Sequence, residues 1–157
     1  MLTVRDRLYL CLAVTLFALA PVVGRSADAP TKDEVVAQVK KAVAFYKANG
    51  REKTLAEMNN KDGQFAKGED YVDVHDTHGV CVAHPVSPGI VGLNRMDQAD
   101  PAGKKWISDI VQETRAGKHN GWITYMRKNP VSGKIEHKLA YWELSDDLIF
   151  KAGTYEE

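Results

Sequence analysis

The sequence predicts an α+β domain in which a long amphipathic helix precedes a five-stranded antiparallel sheet, with a second helix inserted among the strands. Three observations carry that prediction. Apolar residues recur at helical spacing from Val35 to Tyr46; five strand-like runs lie between Tyr71 and Tyr155; and most of those runs are joined by turns too short for a crossover. The helices are expected on one face of the sheet, and the loop after His84 on the other.

The 157 residues, 44% of them hydrophobic, suffice for one domain with its own core, and no internal repeat or second domain is visible. The formal charge of +0 and the lack of a basic cluster argue against a nucleic-acid partner.

Residues 1–26 have the layout of a signal peptide: Arg5 and Arg7, an apolar run from Leu8 to Val23, then the small residues Gly24 and Ser26. An uncleaved N-terminal anchor is the competing reading, although a run of roughly 16 residues is short against the ~20 that a span needs. Residues 27–157 then form the domain proper, with 18 basic and 20 acidic side chains, in the periplasm. Cys11 falls in the leader, so Cys81 is a single thiol with no internal disulfide, expected as a buried small hydrophobe.

Thr31-Lys32-Asp33-Glu34 reads as a capping box, because the Thr hydroxyl and the Glu carboxylate can satisfy the first free amides of a helix. The apolar stripe Val35, Val36, Val39, Ala42, Val43 and Tyr46 follows, and Asn49-Gly50 stops it. A shorter amphipathic segment, residues 54–59, carries Leu55 and Met58.

Glu69 to Pro85 reads as a hairpin. Tyr71, Val72 and Val74 are strand formers, Asp76-Thr77-His78-Gly79 is the turn, and Val80 to Ala83 is the return. Pro85 ends the ladder and leaves His84 at a strand end, where side chains commonly face a ligand. The turn-rich stretch to Gly103 is long for a compact domain and is expected to be a lid or pocket wall. Residues 104–116 form the second helix, with Trp106, Ile107, Ile110 and Val111 inward. Strands are expected at 121–127, 135–144 and 148–155.

No nucleophile elbow, phosphate-cradling glycine loop or haem-attachment motif is present, so no catalytic residue and no cofactor is assigned and the chain is not expected to be an enzyme. Asp73, His75, Asp76 and His78 resemble a metal cluster, with His75 and His78 as the imidazole ligands. Solvent-facing hairpin residues are the preferred reading of all four. Tyr71, His84, Trp122, Tyr125, Lys138 and Tyr141, with Trp106 and Trp142 nearby, instead form an aromatic set with one cation. That inventory suits a small carboxylate: a charge partner, hydroxyl and imidazole donors, and rings to exclude water. Aromatic residues in strands are also ordinary core, and alternation puts Lys138 and Tyr141 on opposite faces unless a bulge intervenes.

The segments from Asn49 to Asn60, Gly79 to Pro85, Gly121 to Tyr125 and Asn129 to Lys134, with Lys138, Ala140-Tyr141 and Gly153-Thr154-Tyr155, resemble the single Cache domains of the second type. These are extracytoplasmic sensor modules of bacterial chemoreceptors and histidine kinases. The resemblance covers nearly all of the chain after the leader. It implies a PAS-like sheet behind the long helix and a membrane-distal pocket for a short organic acid or related metabolite, with Tyr71, His84, Trp122, Tyr125, Lys138 and Tyr141 as pocket candidates. Asp73 and His75 depart from the family, which has apolar or aromatic residues there. Because the chain stops at Glu157 with no second apolar run, the expectation is a free-standing exported module that acts with a membrane receptor, kinase or transporter. A non-binding structural subunit of an exported redox or transport complex is the alternative.

Overall fold

The structure, a computed structural model, describes residues 29–156. The leader and its cleavage point lie outside the described residues. Helix α1 (Lys32–Asn59) begins at the expected capping box, where Thr31 Oγ1 accepts from the Glu34 amide at 3.2 Å and Glu34 Oε2 accepts from the Thr31 amide at 2.7 Å. It is two helices joined at a kink. Gly50 has φ 78° and ψ 174°, a conformation almost confined to glycine, which explains why the sequence shows a stop followed by a second amphipathic segment.

A two-residue hairpin, β1 (Ala66–Lys67) with β2 (Asp70–Tyr71), leads into β3 (Asp73–Asp76) and β4 (Cys81–Ala83). Their turn is held by Asp76 Oδ1, which accepts from the amides of His78 and Val80, both at 2.9 Å. Gly79 sits at φ 83°, and a Cβ there would come within 2.5 Å of Met96. A 3-10 turn (Pro88–Ile90), helix α2 (Trp106–Arg115) and strands β5 (Asn120–Lys128), β6 (Ile135–Ser145) and β7 (Leu148–Glu156) complete the chain. The five longer strands form one sheet in the order β4-β3-β7-β6-β5, and each neighbouring pair is antiparallel.

One expectation needs correction, because the two helices lie on opposite faces. Val35, Val39, Ala42, Val43 and Met58 of α1 pack with Val74, Tyr141, Leu148, Phe150 and Ala152. Trp106, Ile107, Ile110 and Val111 of α2 pack with Ile123, Tyr125, Ala140, Trp142 and Ile149. The runs Ala140-Tyr141-Trp142 and Leu148-Ile149-Phe150 are apolar at consecutive positions, and strands of that kind need cover on both sides. The loop after His84 shares the second face with α2. Asp100 fastens it there, with Oδ2 accepting from the Met126 amide of β5 at 2.8 Å and Oδ1 from the amides of Ala102 and Lys104.

Candidate functional site

Cross-strand register builds the site on the face opposite α1. Tyr125, Lys138 and Tyr155 stand opposite one another on β5, β6 and β7, and Trp142, Lys151 and Asp73 do so on β6, β7 and β3. Residues paired this way share a face, so two rows of polar and aromatic groups lie beneath the loop. Between sheet, loop and α2 is a cavity of about 10 Å³, walled by Tyr71, Asp73, His75, His84, Ile90, Arg95, Trp106, Tyr125, Arg127 and Lys151. That is space for about one water molecule.

The polar groups are cross-linked. Lys151 Nζ donates to Asp73 Oδ1 at 2.8 Å and to the Tyr125 hydroxyl at 2.9 Å, which leaves the Tyr125 proton available to another acceptor. Asp73 is only 2% exposed and His75 only 4%. His75 Nδ1 lies 3.2 Å from Asp73 Oδ2 but off hydrogen-bonding alignment. Burial alone would raise the Asp73 carboxyl; the Lys151 ammonium beside it outweighs burial and holds it well below the usual carboxylate range. Burial alone would lower Lys151, yet Asp73 and Tyr125 push it above the ordinary lysine value. Both are therefore charged at neutral pH. Burial depresses both imidazoles, holding His84 at about 3, so neither carries charge.

The wall thus has one anion, Asp73, against the cations Lys151, Arg95 and Arg127. Lys151 is paired with Asp73, so the excess is the half-buried Arg95 and Arg127, which an anionic guest would neutralise.

His84 and Arg127 show where such a guest would be held. The Ser87 amide donates to His84 Nδ1 at 3.0 Å, so in the neutral ring the proton is on Nε2. Arg127 Nη2 lies 3.5 Å from that Nε2 and can only donate. Two donors directed at the same space are matched by one shared acceptor, and a carboxylate oxygen suits both. The Tyr71 ring lies 5.3 Å from His84 with the planes tilted by 37°, and Trp106 lies parallel to Tyr125 at 4.7 Å, so rings close the sides.

Lys138 sits one layer back. Its ammonium is 0% exposed, has no hydrogen-bond partner, and lies 3.8 Å from the centre of the Tyr71 ring and 4.8 Å from that of Tyr155. Burial would raise the Tyr71 phenol, but Lys138 and Lys151 outweigh it and lower its pKa, which makes Tyr71 a better hydrogen-bond donor.

Of the residues singled out in the sequence, the structure brings Tyr71, His84 and Tyr125 to the cavity wall and Lys138 behind Tyr71. Trp122 and Tyr141 are not there. No bulge interrupts β5 and β6, so strict alternation sends both to the α1 face, where their rings meet at 5.3 Å and the Tyr141 hydroxyl donates to Glu143 at 3.3 Å. Nor does the structure unite His75 with His78, since the first is buried beside Asp73 and the second is exposed on the turn. Among the described residues no group of three or more His, Cys, Asp or Glu side chains could hold a metal ion. Asp73 and His75, expected in solvent, are buried because the loop covers their face. Cys81 is buried as expected, and burial pushes its thiol up to about 12.

Sequence reasoning missed Lys151, Arg127 and Arg95. A signal existed for two of them. Lys151 interrupts the apolar run Leu148-Ile149-Phe150 and Ala152, and Arg127 is two residues from Tyr125, hence on its face. Arg95 lies in a turn-rich loop whose path carries no periodicity.

The chain belongs to the Single Cache domain 2 family, which it matches over residues 33–148. It is 31% identical over 84 residues to the sensor histidine kinase MctS of Rhizobium johnstonii; that match takes in 54% of this chain but only 18% of the kinase. Among solved structures it is similar to a methyl-accepting chemotaxis protein of Vibrio parahaemolyticus, with TM-score 0.66 and 24% identity over 79% of this chain and 87% of the other. It is equally similar to a Cache chemosensory domain studied for carboxylic acid recognition, with TM-score 0.66 and 20% identity over 80% and 92%. These structural likenesses establish the shared fold. Among the described residues no helix is long and apolar enough to cross a membrane.

Proposed function

We infer that this Cache domain is an exported ligand-binding module for a small carboxylate, delivered by residues 1–26 and reporting to a receptor, kinase or transporter in the membrane. One observation carries the reading: the Arg127 guanidinium and the His84 Nε2–H converge within 3.5 Å at a small cavity whose wall holds more cations than anions. Carboxylic acid recognition by a structural neighbour and the sensor-kinase relative support it. Arg127 and His84 would grip the carboxylate, Tyr125 and Tyr71 would donate to it, and Lys138 would act through Tyr71. Binding is reversible and leaves the ligand unchanged.

The test is a calorimetric titration with a panel of short acids. Arg127→Ala is expected to weaken the acid that binds by roughly 1.5–3 kcal/mol, the worth of a hydrogen bond to a charged group. Lys138→Ala, one layer back, is expected to cost less. Equal affinity in wild type and Arg127→Ala would refute the assignment.

A further inference from the structure

We propose that the binding site has a second compartment, and that the ligand is an acid with an apolar body of several carbons rather than acetate. The inference rests on the carboxylate reading above and specifies it. A cavity of about 10 Å³ can exchange one water for carboxylate oxygens but cannot enclose a carbon chain. A cleft of about 490 Å³ adjoins it, and the two share Tyr71, Trp106 and Arg127 as walls. That volume lies within the ~300–1,000 Å³ range of small-molecule sites.

The cleft has a mixed wall, in which Ser87, Gln98, Arg127 and Lys128 are polar or charged and an apolar stretch can cover a carbon chain. Val86, Ala99, Pro101, Met126, Pro130 and Ile135 supply that stretch of the cleft. Its one acidic wall residue, Asp100, is held below the usual carboxylate range, since the amides of Met126, Lys104 and Ala102 outweigh its burial; its oxygens are engaged within the protein. Val86 and Ile135 are 40% and 56% exposed, so apolar surface that the fold leaves in water lies where a ligand would cover it. Arg127, common to both compartments, would hold the carboxylate at the junction, with the chain running outward past Trp106.

Calorimetric titration of the purified protein with acetate, propionate, butyrate, pentanoate and hexanoate tests this. Affinity should rise roughly threefold to fourfold per added methylene, the transfer value of a buried CH₂. Ile135→Asn and Val86→Asn should flatten that rise while leaving acetate affinity unchanged; both side chains are exposed, so the fold does not depend on them. Acetate binding with an affinity that stays level or falls along the series would overturn the second compartment and leave the carboxylate site standing. A rise that persists in both variants would overturn it too, because the chain would then lie elsewhere. Failure of every acid to bind would remove the site and the compartment together.

Discussion

Lys151 and Asp73 illustrate how a buried ion pair constrains substitution. Removing one partner leaves the other charged and desolvated, so Lys151→Met should cost about 3–5 kcal/mol in denaturant unfolding, whereas Asp73→Leu combined with Lys151→Met should recover most of that loss. A double variant no more stable than the single would mean that the pair does not carry the energy assigned to it. His84 sets a pH dependence. Its folded pKa, about 3, lies below the unfolded value of about 6.5, so below pH 6.5 the unfolded chain binds a proton that the folded chain refuses. Stability is therefore complete above that pH and falls on acidification, by about 1.4 kcal/mol per pH unit for each such imidazole until the folded pKa is reached. His75, also depressed, acts in the same direction. Melting temperature against pH should be shallower for His84→Gln between pH 6 and 4, and an unchanged slope would contradict the buried neutral imidazole.

At the next level, the kink in α1 and the loop after β4 position the site. Gly50 has open space around its missing Cβ, so Gly50→Ala meets no clash and tests backbone strain alone; a loss of about 1–3 kcal/mol is expected from chemical denaturation. No loss would mean that the helix runs on through residue 50. The kink places Asn59 so that its Oδ1 accepts from the His84 amide at 3.0 Å, which ties the end of the helix to the residue whose imidazole faces the cavity. The elements themselves were legible in the sequence, because capping box, hairpin turn and strand alternation are local signals. Which face α2 takes was not. The consecutive apolar residues of β6 and β7 imply cover on both sides, but no local feature assigns a particular helix to a particular side. The pairing of Asp73 with Lys151 was equally hidden, since it depends on a register between strands 78 residues apart in sequence.

For the whole molecule, one sheet separates an apolar layer under α1 from a polar cage under the loop. Alternation decides the membership of each, which is why Tyr141 and Lys138, three residues apart, serve different layers. A ligand that binds the folded cage alone should stabilise the domain by mass action, by about 2.7 kcal/mol at a hundredfold excess over its dissociation constant. The most direct measurement is a high-resolution crystal structure of the protein saturated with the acid that gives the largest rise in melting temperature. A carboxylate oxygen is expected within hydrogen-bonding distance of both the Arg127 guanidinium and His84 Nε2. A carboxylate bound away from Arg127 and His84 would contradict this.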